Sequence, residues 1–290
     1  MQLTASLLCL LCLSGVQQPN TARIPAGKGE LLLRVDGHDF QTFTYRSKDY
    51  AAKKGPLILV FHGSARNARD YRDYASALAN RCGGLAVAPC FDRRQFSEVD
   101  YSYGNVRSAG HVMPKEQWTF TLVPKLIETV RTMERRNDMP YYLIGHSAGG
   151  QFVERMLVFG DVKPLRAVAA NAGSHLFPTR DIPFPYGFGG LPESLAGDKV
   201  LKAYLAMPLV IYVGTADTNA DAKKIDASRT AEREGPTRLT RGHRCFQMGE
   251  KLAHAKGWPF HWRLVEAPGV GHSPSKMFTR PECQTALFGH

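Results

Sequence analysis

The sequence predicts an α/β fold in which helices cover both faces of one mostly parallel central sheet. Short, continuously apolar runs alternate along the chain with amphipathic stretches of helical period. Runs such as Leu57–Phe61 and Leu209–Val213 have the composition of strands that are buried on both faces of a sheet. The length of 290 residues and the hydrophobic fraction of 43% fit one large domain better than two small ones.

Five elements are predicted in the N-terminal part of the chain. Leu31–Val35 and Phe40–Arg46 indicate an opening antiparallel pair of strands. Side chains in the second run alternate with the two-residue period that is typical of a strand. Leu57–Phe61 is apolar throughout, which is typical of a central strand. Ala68–Asn80 places its apolar side chains on one helical face, and Gly84–Ala88 is the next strand.

The C-terminal part continues the alternation. Thr121–Arg135 is predicted to be a helix, in which Pro124 is tolerated because it lies in the first turn. Tyr141–Ile144 is a strand that leads directly into a helix ending at Gly160. Three more strands are predicted, at Leu165–Ala170, Leu209–Val213 and Phe260–Val265. Polar and apolar residues alternate in the last of these, which indicates a strand near the edge of the sheet.

Residues 1–22 have the features of an export signal, and residues 23–290 are predicted to form a single domain. Leu3–Val16 is mostly apolar but shorter than the roughly 20 residues that a membrane span needs. A polar stretch follows at 17–21, although no Lys or Arg precedes the apolar run. We therefore expect a cleaved signal, a secreted or periplasmic protein and no stable membrane span. An uncleaved anchor or a misassigned start are the alternatives.

The formal net charge of +11 is high for a chain of this length. The basic residues are scattered from Arg23 to Arg280, without a long Lys/Arg block or a nucleic-acid-binding motif. This distribution favours a solvated surface over binding of a polyanion, and we expect no nucleic-acid partner. The sequence carries no signal for a particular oligomeric state.

Four cysteines remain after residues 1–22 are set aside, and in an exported chain they permit disulfides. Cys245 lies in a helical pattern and Cys283 near the C-terminal helix, so a disulfide between these two is a reasonable expectation. Cys82 and Cys90 flank one strand, whose extended length holds them too far apart to pair. They are predicted to be small core residues. No cysteine or histidine spacing indicates a zinc site.

The most informative motif is G-x-S-x-G, at residues 145–149. An apolar run predicted to be a strand stops at this motif, and a helical pattern begins directly after it. A reactive serine hydroxyl must stand on a turn too tight for most residues, and Gly145 and Gly149 remove the side chains that would collide there. The helix that follows directs its N-terminal N–H groups at developing negative charge. Ser147 is therefore predicted to be a nucleophile.

Three further motifs follow the carboxyl ends of predicted strands. His62-Gly63-Ser64 follows the central strand, Asp217 lies in the loop after Leu209–Val213, and His272 follows the last strand. This arrangement resembles the α/β-hydrolase superfamily, which uses the chain order Ser, Asp, His, and the resemblance covers nearly all of residues 29–290. Within it, the motifs are similar to those of secreted bacterial hydrolases related to polyhydroxyalkanoate depolymerases and to feruloyl or acetyl-xylan esterases.

The resemblance implies a role for each of these residues. Ser147 would attack an acyl carbon, His272 would act as the base, and Asp217 would orient the imidazole. The backbone N–H groups of Ser64 and Ala148 would form the oxyanion hole. Acyl transfer by this route needs neither a metal ion nor an organic cofactor, and we expect none.

Some alternatives to these assignments remain open. Asp221 lies on the same loop as Asp217 and could serve as the acid instead. His146, next to the nucleophile, is expected to point away from it and to be structural. His62 is expected to support the oxyanion loop rather than to act as a base.

Substrate selection is predicted to reside in residues 174–206, a long, lid-like connection between two central strands. Its aromatic residues could line an acyl or aryl pocket; these are Phe177, Phe184, Tyr186 and Phe188. Alternatively, the same side chains tie an irregular segment to the domain. Asp100–Asn105 is a second tyrosine-bearing segment that could border the cleft.

The function that these features favour is a secreted serine hydrolase that cleaves carboxylic esters through an acyl-enzyme. Its substrate would be a small-molecule or a polymeric ester. A serine peptidase on the same fold is one alternative, although such peptidases usually carry an added gating domain. A non-catalytic binding protein that retains the fold is the other, and the presence of all three triad residue types argues against it.

Overall fold

An eight-stranded sheet forms the centre of the protein in this computed structural model, which describes residues 23–220 and 233–289. The predicted signal segment 1–22 lies outside the described residues. The strands are β1 (Gly27–Val35), β2 (His38–Arg46), β3 (Leu57–Phe61), β4 (Leu85–Pro89), β5 (Tyr141–His146), β6 (Arg166–Ala170), β7 (Leu209–Gly214) and β8 (Arg263–Ala267). Their order across the sheet is β1-β2-β4-β3-β5-β6-β7-β8.

The pairing of the strands is mostly parallel. Only β2 pairs antiparallel with its neighbours, β1 on one side and β4 on the other, and every other pair in this sheet is parallel. The opening antiparallel pair and the parallel remainder are both as predicted. The α/β class and the mostly parallel central sheet are therefore confirmed.

Helices cover the two faces of the sheet. They are α1 (Ala68–Cys82), α2 (Glu98–Tyr103), α3 (Leu122–Glu134), α4 (Ala148–Phe159), α5 (Glu193–Ala196), α6 (Asp198–Leu205), α7 (Arg238–Lys256), α8 (Pro274–Thr279) and α9 (Pro281–Phe288). A small hairpin, Arg107–Ser108 with His111–Val112, and two single-turn 3-10 helices, Lys115–Gln117 and Thr119–Thr121, lie between α2 and α3.

Two hydrophobic cores lie against opposite faces of the sheet, because successive side chains of a strand point to opposite sides. In β3, Leu57, Leu59 and Phe61 join the core that includes α3, α4 and α7, whereas Ile58 and Val60 join the core that includes α1, α8 and α9. No helix among residues 23–220 and 233–289 has the length and apolar character that crossing a bilayer requires.

The last strand begins at Arg263, three residues later than the alternation from Phe260 predicts. The residues before it bond to the end of α6 instead of to the sheet. His261 donates its backbone N–H to Leu205 O at 2.9 Å, and Trp262 donates its indole N–H to Tyr204 O at 2.9 Å. The strand does lie at the edge of the sheet, as predicted.

The expected disulfide between Cys245 and Cys283 is absent, and the expectation is wrong. Both thiols are free and fully buried, but Cys245 belongs to one core and Cys283 to the other, so the sheet separates them. Periodicity in the sequence predicts that a helical residue is buried, but not on which face of the sheet its helix packs. Cys82 and Cys90 are also free, and they are half-buried rather than core residues.

Candidate active site

Ser147 stands on a sharp turn between β5 and α4. Its backbone has φ 59° and ψ −119°, a left-handed conformation that is costly for any residue other than glycine. A Cβ atom at Gly145 would overlap the carbonyl of Gly149, and one at Gly149 would overlap the carbonyl of Phe61. The two glycines of the motif are therefore required by close backbone packing around the turn. The N–H of Ser147 donates to Ala170 O at 2.9 Å, which fixes the turn against the end of β6.

Ser147, His272 and Asp217 form a continuous chain of hydrogen bonds at the carboxyl edge of the sheet. Ser147 Oγ lies 3.1 Å from His272 Nε2, and His272 Nδ1 lies 2.7 Å from Asp217 Oδ2. A carboxylate only accepts hydrogen bonds, so Nδ1 carries the proton, and Nε2 of the neutral ring is free to accept from the hydroxyl. This geometry allows the imidazole to take a proton from Ser147.

Asp217 is 2% exposed and is held by more than its bond to the imidazole. Arg238 Nη1 lies 3.5 Å from the second carboxylate oxygen, Oδ1, and places a positive charge beside it. The N–H of Asp217 donates to Gly214 O at 2.9 Å, which closes the turn after β7. The carboxylate is thus fixed in position before a substrate binds. Asp221, the alternative acid, lies outside the described residues.

Gly63 and the first turn of α4 flank Ser147. A Cβ atom built on Gly63 would lie 3.6 Å from Ser147 Cβ, so the backbone that leads into Ser64 passes directly beside the serine. Ala148 is the first residue of α4, where backbone N–H groups have no acceptor within the helix. The structure therefore places the loop that leads into Ser64 beside the serine, and Ala148 directly after it.

His62 supports the loop that carries Ser64. Its Nε2 accepts the N–H of Phe91 at 3.1 Å, so Nδ1 carries the proton and donates to Gly63 O at 2.9 Å. The ring stacks on Tyr101, whose hydroxyl donates to His62 O at 2.7 Å. Burial lowers the pKa of His62 to about 3, so the ring stays neutral. The expectation that His62 is a loop support agrees with these contacts.

His146 packs against His272, the candidate base. Its Nδ1 is 3.1 Å from the hydroxyl of Tyr71, and its ring centroid is 4.6 Å from that of His272. Burial, and secondly the neighbouring His272, lower the pKa of His146 well below its ordinary value. The ring is therefore a neutral packing surface for His272, in agreement with the structural role expected of it.

Comparison with solved structures gives two matches of high similarity, although no family model matches the sequence and a search of curated proteins finds no match. Poly(aspartic acid) hydrolase-1 from Sphingomonas sp. KT-1 is 32% identical with a TM-score of 0.84, over 91% of this chain and 100% of that one. LpqC, a poly(3-hydroxybutyrate) depolymerase from Bordetella parapertussis, is 31% identical with a TM-score of 0.82, over 93% of this chain and 94% of that one. The chain belongs to the α/β-hydrolase superfamily.

A third match shows the fold alone. The S-formylglutathione hydrolase FrmB from Staphylococcus aureus is 13% identical with a TM-score of 0.56, over 89% of this chain and 96% of that one. The two matches above 30% identity are both hydrolases, which supports a hydrolytic function for this α/β-hydrolase.

The aromatic residues of segment 174–206 that could line a pocket are mostly buried in the core of this α/β-hydrolase. Phe177, Phe184 and Phe188 are only 2%, 7% and 0% exposed. Phe184 and Phe188 pack on Phe159 of α4, with ring centroids 5.7 Å and 6.2 Å from it. Buried aromatic side chains remove about 150–250 Å² each from water, which is enough to hold an irregular segment in place. The alternative interpretation, that they tie this segment to the domain, is the one that fits.

Tyr186 is the half-buried member of that set. Its ring lies 6.2 Å from the ring of Tyr103, at the end of α2, in an edge-on arrangement. The guanidinium of Arg155 lies 5.1 Å from the centre of the Tyr103 ring. The two tyrosine-bearing segments singled out from the sequence, 100–105 and 174–206, therefore meet at this pair.

A buried polar cluster beside α4 contains residue types that can bind a metal ion. The ligand atoms of Glu154, His175 and Cys245 lie within 4.8 Å of one another. Both carboxylate oxygens already accept hydrogen bonds, however: Oε2 from His175 Nδ1 at 2.7 Å, and Oε1 from Leu176 N and the Tyr204 hydroxyl at 2.9 Å each. The Glu154 carboxylate is thus satisfied within a hydrogen-bonded network that joins α4 to the segment after β6, whereas His175 Nε2 has no hydrogen-bond partner among the described residues.

We expect the stability of this α/β-hydrolase to fall on mild acidification, because His62 and His146 are neutral when buried. The unfolded chain takes up protons on both rings below about pH 6.5, whereas folded His62 resists protonation down to a pKa of about 3. The free energy of unfolding should therefore decrease by about 1.4 kcal/mol per pH unit for each such histidine. Urea unfolding followed between about pH 7 and pH 4 measures this slope.

Two variants separate this effect from general acid lability. His62→Asn should lower the slope by about 1.4 kcal/mol per pH unit, the contribution of one proton, because the asparagine side chain does not titrate. Gln41→Asn, at an exposed position of β2, should leave the slope unchanged, because neither side chain titrates in this range. A slope that is the same in the wild type and in His62→Asn would contradict the prediction.

Proposed function

We propose that this protein is a secreted serine hydrolase that cleaves carboxylic esters through an acyl-enzyme formed on Ser147. The observation that carries the proposal is the unbroken chain from Ser147 Oγ through His272 to Asp217 Oδ2, with steps of 3.1 Å and 2.7 Å. The hydrolase relatives support the reaction class, and the export signal predicted at residues 1–22 supports secretion.

In the first half of the reaction, Ser147 Oγ attacks the acyl carbon while His272 Nε2 takes the hydroxyl proton. The carbonyl oxygen becomes an oxyanion, which the N–H groups of Ser64 and Ala148 stabilise. Removing one such donor typically costs roughly 2.7–4 kcal/mol of transition-state stabilisation. The bond from the acyl carbon to the alcohol oxygen then breaks, and the imidazolium returns its proton to the departing alcohol.

In the second half, water replaces the alcohol. His272 takes a proton from this water as it attacks the ester carbon of the acyl-enzyme, and Asp217 stabilises the imidazolium in both halves. The tetrahedral intermediate collapses, the bond to Ser147 Oγ breaks, and the serine recovers its proton. The products are a carboxylic acid and an alcohol, so atoms and charge balance with water as the only co-substrate.

A panel of p-nitrophenyl esters of increasing acyl length, compared with peptide anilides, tests the proposed bond specificity. We expect ester turnover that Ser147→Ala abolishes, and little anilide turnover. Anilide turnover exceeding ester turnover would instead support a peptidase.

A second candidate substrate is an acyl chain that itself carries carboxylates. One relative is a poly(aspartic acid) hydrolase, and this chain has a net charge of +11. Arg93 lies beside the candidate oxyanion loop, because its guanidinium donates to the carbonyl of Ser64. It is exposed, and no carboxylate of residues 23–220 and 233–289 forms an ion pair with it. It therefore presents a positive charge close to the bond that would be cleaved.

The segment that carries Arg93 is fixed to the same loop. Arg66 is almost fully buried, and its guanidinium donates to Phe91 O at 2.7 Å and to Ser97 O at 3.1 Å. Phe91 in turn donates its N–H to His62. Residues 91–97 and the oxyanion loop thus form one hydrogen-bonded unit, so the backbone that carries Arg93 is held against the loop beside Ser147.

We expect Arg93→Gln to raise KM for a substrate with a carboxylate in the acyl chain by about tenfold, which is the loss of one charged contact of roughly 1.4 kcal/mol. KM for a neutral ester of the same length should change little. Arg94→Gln is the matched control, because Arg94 is the next residue, is also exposed and is already paired with Asp92 at 3.1 Å. Equal KM changes for charged and neutral substrates, or in the two variants, would rule out the anionic candidate.

A further inference from the structure

Asn171 links two loops of the candidate active site with a single side chain. It directly follows β6 and is 1% exposed. Its Oδ1 accepts the N–H of Gly214 at 2.7 Å, and its Nδ2 donates to Gly271 O at 3.1 Å. Both polar groups of one buried amide are therefore used, each by a different loop.

The two loops are those that carry the candidate acid and base. Gly214 ends β7 and accepts the N–H of Asp217 at 2.9 Å, so it begins the turn that presents the carboxylate. Gly271 directly precedes His272. A shift of either glycine relative to the other would change the 2.7 Å distance between His272 Nδ1 and Asp217 Oδ2.

The backbone at Ala170 and Asn171 connects Ser147 and β7 to the same place in the fold. The preceding residue, Ala170, accepts the N–H of Ser147 at 2.9 Å, and Asn171 itself donates to Tyr212 O at 2.8 Å. Asn171 has a φ of 41°, in the left-handed region. Glycine adopts such a conformation with less strain, so the backbone alone does not call for an amide side chain.

We infer that Asn171 is a positioning residue that sets the geometry of the Asp217–His272 pair through Gly214 and Gly271. An amide is the side chain that fits, because it offers one donor and one acceptor at the same distance from the backbone. Aspartate would lack the donor for Gly271, and leucine would lack both groups. The inference rests on the proposed function, since it assumes that the pair acts as base and acid.

The test is to replace Asn171 with glycine, which keeps the backbone conformation and removes the bridge. For a p-nitrophenyl ester we expect kcat to fall by about 10- to 100-fold, because small displacements of catalytic groups have effects of this size. KM should stay within about twofold, and Tm should not fall below that of the wild type by more than a few degrees. Asn171→Asp, which keeps the bond to Gly214, is the second variant, and its kcat should also fall.

Asp161→Gly is the matched control. Asp161 also has a left-handed backbone, with φ 50°, but it is exposed and lies before β6, at the other end of that strand. Its replacement should leave kcat and KM unchanged. A loss of kcat in Asp161→Gly equal to that in Asn171→Gly would show that the effect is not positional.

A double-mutant cycle distinguishes positioning from a general structural role. If Asn171 acts through the pair, Asn171→Gly should lower kcat less than about threefold when Asp217 is already Asn. Wild-type kcat in Asn171→Gly, or additive losses in the double variant, would overturn the inference. Ser147→Ala, measured alongside, tests the proposed function separately: retained activity there overturns that function, whereas an inactive Ser147→Ala with an unaffected Asn171→Gly overturns the positioning role alone.

Discussion

Ser147→Ala is expected to lower kcat for p-nitrophenyl esters by roughly six orders of magnitude, the loss that follows when a triad serine is removed from a serine hydrolase. The reason is that no other side chain can form the acyl-enzyme at this turn. The hydroxyl is held 3.1 Å from His272 Nε2 by a strained backbone that two glycines make possible. The residual rate should reflect binding and the oxyanion donors alone. Steady-state kinetics on purified variant and wild type provide the measurement.

The control for this variant is Ser76→Ala, on α1, whose hydroxyl donates to Asp73 O within its own helix. It should keep wild-type kcat. If Ser147→Ala keeps more than about a hundredth of wild-type activity, a different nucleophile does the chemistry, since the loss would fall far short of the usual effect.

Asp217→Asn is expected to lower kcat by about 10⁴-fold. The buried carboxylate accepts the Nδ1 proton of His272 at 2.7 Å and thereby leaves Nε2 unprotonated and facing Ser147. An amide can donate to Nδ1 instead, which favours the tautomer with the proton on Nε2, where it cannot accept from the serine. The folded structure should persist, because the substitution changes no volume. Steady-state kcat, with Tm to verify folding, measures the effect.

Asp221→Asn is the companion experiment, because Asp221 is the competing acid on the same loop and lies outside the described residues. It should change kcat by less than about threefold if Asp217 is the acid. A large loss in Asp221→Asn with a small one in Asp217→Asn would reverse the assignment. Ser147→Ala combined with Asp217→Asn should be no slower than Ser147→Ala alone, because the two residues act as a unit.

The strands of the sheet were predictable because the pattern that specifies each one lies within a short run of residues. Leu57–Phe61 is apolar at every position and only five residues long, which favours a strand buried on both faces, as β3 is here. The G-x-S-x-G motif specifies a turn by the collisions that its glycines avoid, and Ser147 has the left-handed backbone that such a turn needs. The carboxyl ends of neighbouring parallel strands meet at one edge, so loops after β3, β5, β7 and β8 were expected to converge, and the structure brings Ser147, Asp217 and His272 together there.

What the sequence did not predict depends on relations between distant segments. Cys245 and Cys283 both lie in buried helix faces, but only the packing of α7 and α9 on opposite sides of the sheet decides that they cannot pair. Phe184 and Phe188 could equally line a pocket or fill a core, and the position of Phe159 beneath them decides for the core. The pattern of apolar residues along the chain predicts that a side chain is buried, whereas the residue that it packs against depends on tertiary structure.

Asn171 is the site residue that sequence analysis missed, although a signal for it exists. It is the first polar residue after a predicted strand, Leu165–Ala170, at the sheet edge where the other site loops begin. Its two hydrogen-bond partners are backbone groups of Gly214 and Gly271. Because backbone groups do not depend on residue type, the sequence does not show which of them the side chain bonds. Arg93 was missed for a related reason, since its contact is the carbonyl of Ser64.

The claim that Ser147 is the nucleophile is tested most directly by covalent labelling with a fluorophosphonate probe, followed by mass spectrometry of the intact protein and of its peptides. The hydroxyl that His272 activates should displace fluoride from phosphorus, so we expect one adduct per chain, on the peptide that contains Ser147. Ser147→Ala should acquire none, and Ser76→Ala should label like the wild type. No adduct on the wild type, an adduct on another residue, or equal labelling of Ser147→Ala would show that Ser147 is not the nucleophile.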